Sequence, residues 1–84
     1  MNGDDPLPVR VLECLADRYL PVASSWVETG TIAARLDVPE ANVNSCCKLL
    51  VARGLIEFSP PDEENDGYAA IITIKGLRSI GRGA

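Results

Sequence analysis

Thr29-Gly30-Thr31-Ile32-Ala33-Ala34-Arg35-Leu36-Asp37-Val38-Pro39-Glu40-Ala41-Asn42-Val43 is the stretch on which the fold turns. Thr29 has the chemistry of an N-cap, and Gly30 and Thr31 open a short helix carried by Ile32, Ala33 and Leu36. Asp37-Val38 interrupts it. Pro39 restarts a helix at its first turn, where a missing N–H does no harm, and the charge of Glu40 suits a helix N-terminus. The spacing predicts that this second helix runs to about Arg53. Val43, Cys46 or Cys47, and Leu50 form its buried stripe, and Gly54 is the C′ residue. Ile32-Ala33 packs the first helix, Val38 plugs the turn and Val43 anchors the second.

Toward the N-terminus, residues 1–7 read as a loose polar tail. Pro8 then opens an amphipathic helix over 9–20, with Val9, Leu12, Leu15, Ala16, Tyr19 and Leu20 on one face, ended by Pro21. Residues 21–28 make a connector, in which Trp26-Val27 forms a short strand against something later in the chain. Trp26 is expected to be buried beneath that later segment; exposed, it would serve as an interface anchor. Toward the C-terminus the period changes. Leu55-Ile56-Glu57-Phe58 reads as a strand, 59–67 as a polar loop with two prolines and four acids, and 68–74 as a second strand, together a wide hairpin. One or two helical turns follow over 76–80.

The chain of 84 residues has room for one modest core, so residues 8–84 are read as a single domain. The fold class is α+β, mainly helical, with three helices and a C-terminal hairpin. The order of elements and the tight turn fit a helix-turn-helix, and at this point the chain resembles winged helix-turn-helix regulators. The segment Val43-Asn44-Ser45-Cys46-Cys47-Lys48-Leu49-Leu50-Val51-Ala52-Arg53-Gly54-Leu55-Ile56 is similar to their recognition helix and its exit. Thr73-Ile74-Lys75-Gly76 is similar to the threonine-x-x-glycine segment that closes the wing in MarR-like and phage-repressor-like members. The resemblance covers roughly residues 8–82.

It implies a DNA-binding transcriptional regulator whose 39–53 helix enters the major groove of double-stranded DNA. Glu40, Ala41, Asn42, Asn44, Ser45 and Lys48 would then face base edges, and Thr29, Thr31 and Arg35 would contact phosphate. The plainer reading of Asn42, Asn44 and Ser45 is the solvated face of a helix.

Electrostatics qualify that implication. The net charge is −4, from 8 basic and 12 acidic residues, where DNA-binding domains are often strongly basic. Asp62, Glu63, Glu64 and Asp66 account for the whole excess, and all four lie in the 59–67 loop that corresponds to the wing. Like-charge repulsion would hold that loop off phosphate. Lys75, Arg78 and Arg82 carry the C-terminal segment without an acid. About 3–4 cations per chain is thin for one copy, so a homodimer reading two half-sites is expected. The alternative is a winged-helix protein–protein interaction module whose acidic loop contacts a basic partner. A host with high internal salt would give the same acidity and keep DNA binding.

Other classes are poorly served by this composition. Histidine is absent, which removes the commonest general base and most zinc sites. Cys14, Cys46 and Cys47 are odd in number and lack C-x-x-C spacing, so they are expected to be core residues, with a redox switch as the alternative and no metal. The acids of the loop have nothing to desolvate them, and no glycine-rich phosphate loop is present. Neither an enzyme nor a cofactor is expected. No apolar run spans a bilayer and the first residues lack a signal peptide's pattern, so a cytoplasmic protein without membrane contact is expected.

Overall fold

The computed structural model describes residues 6–19, 26–63 and 67–82. Among them are four helices and a three-stranded antiparallel sheet, an α+β fold. The first helix, α1 (Leu7–Asp17), starts within the expected tail and stops three residues short of the expected end, with Arg18 as its C-cap. Pro21 and most of the connector lie outside the described residues. The buried face of α1 is Val11, Leu12, Cys14 and Leu15, which keeps Leu12 and Leu15 of the expected stripe and adds Val11 and Cys14. Val11 is fully buried, whereas Ala16 and Tyr19 only pack against the edge of the core.

Strand β1 (Val27–Glu28) runs directly into α2 (Thr29–Leu36). Val27 points into the core and Trp26 is 44% exposed, so the expectation of a buried tryptophan fails. Alternation along a strand explains it, since an inward Val27 turns its neighbours outward. Thr29 is not the N-cap: that position belongs to Glu28, and Thr29 is the first helical residue. The turn after α2 forms as read. Asp37 takes a left-handed conformation (φ 56°), and the Val38 N–H donates to the Ala33 carbonyl at 3.0 Å. Arg10 of α1 donates to the Leu36 carbonyl at 3.2 Å, setting a cation on the negative end of α2.

Helix α3 (Glu40–Ala52) has Pro39 as its N-cap rather than its first helical residue. Val43, Cys46, Cys47 and Leu50 are all buried, so both neighbouring cysteines join the core. Its end is closed by Gly54 at φ +74°, with Gly54 N–H on Val51 O (2.9 Å) and Leu55 N–H on Leu50 O (3.0 Å). This paired arrangement needs a left-handed residue, which is why glycine stands there.

Strands β2 (Ile56–Ser59) and β3 (Ala69–Ile72) pair with Ile56 opposite Ile72 at the foot and Ser59 opposite Ala69 at the tip. β3 is central, flanked on its other edge by β1 through Val27–Ala70 and Glu28–Ala69. Phe58 and Tyr68 stack with ring centroids 5.0 Å apart near the hairpin's tip. Of the acidic loop, Asp62 and Glu63 are exposed; Glu64 and Asp66 lie outside the described residues.

The short C-terminal turns form a fourth helix, α4 (Ile74–Ser79), where three helices were expected. Thr73 caps it, accepting from Gly76 N–H at 3.0 Å. The same hydroxyl donates to the Gly54 carbonyl at 2.8 Å, and the Thr73 N–H donates to the Leu55 carbonyl at 3.1 Å. One threonine thus ties the start of α4 to the end of α3. Gly76 is pressed against the Leu55 carbonyl oxygen, and a Cβ there would overlap that oxygen and lie 2.7 Å from the Ile72 side chain.

Candidate nucleic-acid interface

Helix α3 presents its two faces to different surroundings. With four residues committed to the core, helical geometry turns Ala41, Ser45, Lys48 and Ala52 directly outward. All four are exposed, as are Asn42 on the flank and Leu49. Leu49 is 55% exposed and Val51 40%. The sequence reading assigned neither residue, although each stands off the Val43–Leu50 stripe by its helical angle. The outer face is therefore small, weakly polar and carries one cation, Lys48.

Asn44 differs from its neighbours. Its side chain is half-buried, and Oδ1 is a buried oxygen without a hydrogen-bond partner among the described residues. A buried acceptor left unpaired costs about 1–3 kcal/mol, so the amide gains from any rotation that reaches a donor.

Glu40 and Thr29 turn out to be partners. The Thr29 side chain is fully buried and its hydroxyl donates to Glu40 Oε2 at 3.3 Å. The assignment of Thr29 to phosphate therefore fails, because a residue with no accessible surface has none to offer DNA. Glu40 Oε1 would lie 3.4 Å from a Cβ on Gly30, so its carboxylate rests on the first turn of α2 while belonging to the first turn of α3. Negative charge is favoured at both N-termini, and Glu40 acts as a staple between the two helices. Glu40→Ala is expected to lower stability by about 1 kcal/mol, measured by chemical denaturation. An unchanged midpoint would return Glu40 to the solvated face.

Thr31 and Arg35 are exposed on α2. Arg82 is not a free cation: its guanidinium donates to Asp17 Oδ1 at 2.7 Å and Glu13 Oε2 at 3.0 Å on successive turns of α1. The expectation that Arg82 stands without an acid is thus corrected, the acids coming from 65 and 69 residues away. Lys75 lies over Gly54, its Nζ 3.8 Å from where a Cβ would be. It brings a cation to the C-terminal end of α3, where the helix dipole favours it.

The three cysteines are free and buried. Burial raises the Cys14 thiol pKa, against the opposing pull of Arg35 and Arg18, and raises that of Cys46. Burial, with Cys46 beside it, pushes Cys47 up from 9.0 to about 12. Thiolate is the reactive form, so none of the three is expected to react with a thiol-specific disulfide reagent near neutral pH until the chain unfolds. Because the unfolded chain releases these protons first, stability should fall as pH rises from about 9 toward 12. Native labelling at neutral pH, or a flat alkaline profile, would contradict this placement.

Among the described residues no helix is long and apolar enough to cross a membrane, and no group of three or more His, Cys, Asp or Glu side chains is placed to hold a metal ion. No protein-family model and no curated protein sequence matches the chain. In structure it is similar to the crystal structure of the YusO protein from Bacillus subtilis, with a TM-score of 0.74 and 18% identity over 95% of this chain. The chain spans about half of that protein, 52% of its length. At that identity the likeness is one of fold.

Proposed function

We propose that this chain is a winged helix-turn-helix DNA-binding module, with α2 and α3 as its helix-turn-helix and the β2–β3 hairpin as its wing, acting as a transcriptional regulator. The observation that carries the reading is the outer face of α3, where Ala41, Asn42, Ser45 and Lys48 are exposed and take no part in the core. A helix of 13 residues, about 20 Å long, is of a size to lie in a major groove about 12 Å wide. Asn42 and Asn44 have the chemistry to bond adenine, Ser45 various base edges, and the Ala41 methyl a thymine methyl. Oδ1 of Asn44 is buried, so Asn44 reaches a base only if its side chain turns outward from the flank of α3. Glu40 is occupied by Thr29 and keeps the angle between the helices.

The protein binds as a homodimer. Its extents are 36 × 30 × 21 Å, so two copies side by side stand about one helical turn of DNA apart, the ~34 Å spacing of half-sites. Asp62 and Glu63 at the hairpin tip keep the wing off the backbone.

The test is selection of bound fragments from sheared host genomic DNA at about 50 and 200 mM salt. Enrichment of a two-fold symmetric site, with affinity falling between the two salts, is expected. Failure to enrich at the lower salt would overturn the reading and leave the acidic loop, facing a basic protein partner, as the feature to pursue.

A further inference from the structure

The eight cations of this acidic chain are unevenly occupied. Arg10 caps α2 and Arg82 is held by Glu13 and Asp17. Arg18 and Arg35 stand near enough to Cys14 on α1 to act on its thiol. Lys48, Arg53, Lys75 and Arg78 remain, all exposed, their side chains without a hydrogen bond or ion pair to a described residue. The fold draws them toward one corner. Arg53 caps α3 beside Gly54, Lys75 lies over Gly54, and Arg78 follows Lys75 by three residues on α4, hence on the same side. Lys48 stands five residues before Arg53, about 7.5 Å along the helix axis but about 140° around it, so it adjoins this corner from the outward face of α3 rather than lying within it.

This corner is at the foot of the hairpin, where Ile56 pairs with Ile72. Asp62 and Glu63 lie past the Ser59–Ala69 pair at the other end, about 10 Å up the strands and farther along the loop. That separation is at least a Debye length at physiological salt, about 8 Å, so the acids are largely screened from the cations. The nearest acid along the strand, Glu57, is exposed and alternates away from the buried Ile56. A net charge of −4 therefore describes the molecule and not this corner.

We propose that the α3–α4 corner, Arg53, Lys75 and Arg78, together with Lys48 on the adjoining outward face of α3, is the surface that meets the phosphates of the duplex, in place of the wing and the start of α2. The inference rests on the DNA-binding reading and adds where the backbone is gripped. Four contacts per chain give a log–log salt slope near −3.6 for each chain bound, an affinity loss of about 150-fold per chain between 50 and 200 mM salt, and a homodimer doubles that slope.

The experiment measures binding of the whole chain to a short duplex of mixed sequence across that salt range. Lys75→Gln with Arg78→Gln should cut the slope by about 1.8 per chain, so that the loss per chain over the same range becomes about 12-fold. The unfolding temperature should fall by no more than the few degrees that the lost helix-end charge accounts for. Arg18→Gln should leave the slope as it is. Duplex binding that persists in the double variant with an unchanged slope overturns the corner and leaves the DNA reading standing. So does a slope flattened by Arg35→Gln and not by the double variant. A wild-type chain that binds no duplex, or binds anionic vesicles instead, overturns both.

Discussion

Replacing Gly76 by alanine is expected to cost about 3 kcal/mol of stability and to lower the unfolding temperature by roughly 12–24 °C. The sign is the informative part. Inside a helix, glycine to alanine normally gains up to about 1 kcal/mol, and Gly76 sits in α4 with no requirement for a left-handed conformation. The added methyl, however, meets the Leu55 carbonyl, which is backbone and already holds the Thr73 N–H. It also meets Ile72, which is 3% exposed and has little room to move. Relief requires α4 to lift away from the exit of α3, breaking the Thr73 link between them. Gly67→Ala is the control, because a Cβ there meets nothing within 4 Å; it should stay within about 0.5 kcal/mol of the parent. A Gly76→Ala protein as stable as the parent would contradict the close approach.

Lys48→Glu is expected to weaken duplex binding by roughly 30- to 150-fold, or 2–3 kcal/mol, at moderate salt. Lys48 is the one cation on the outward face of α3, exposed and clear of the core. On the proposed DNA-binding reading, the substitution removes a phosphate or base contact and leaves a like charge facing the backbone, so the salt slope should also become shallower. Glutamate is as good a helix former as lysine, so thermal unfolding should hold. Fluorescence anisotropy on the selected site, with parent and variant at matched salt, measures the effect. Equal affinities would remove α3 from the groove.

The central unit was legible because its signals are local. The Asp37-Val38 break, Pro39 before α3, the Val43–Leu50 stripe and Gly54 after it each act within a few residues of where they stand. The hairpin and its loop were legible for the same reason, through a change of period and a run of turn formers. What escaped was set from a distance. Thr29 reads as a cap until Glu40, eleven residues on, covers its hydroxyl. Arg82 reads as free until α1 brings Glu13 and Asp17 to it. On α1, Leu12 and Leu15 were legible but Val11 and Cys14 were not, because Val9, Val11, Leu12, Cys14, Leu15 and Ala16 leave apolar residues on nearly every side, so only packing decides which go in. For the interface, composition identified the acidic loop, but the grouping of Arg53 with Lys75 depends on Thr73 joining two helix ends.

The place of β1 at the edge of the sheet bears on how the chain assembles. Its two residue pairs join Val27 and Glu28 to partners more than forty positions later, whereas the β2–β3 hairpin closes over ten. Closing the longer loop costs about 1.3 kcal/mol more in chain entropy, and two pairs plus the Thr29 N–H on the Tyr68 carbonyl are what it obtains in return. Helices and hairpin can form from neighbours in sequence; β1 must wait until β3 stands ready, and with only two pairs holding it at the sheet edge it is expected to part before β2. Because β1 passes without a break into α2, each such opening loosens the start of that helix. The strand pairing that closes the longer loop is thus joined to the start of α2, and its opening is expected to act on the turn that sets the angle of α3.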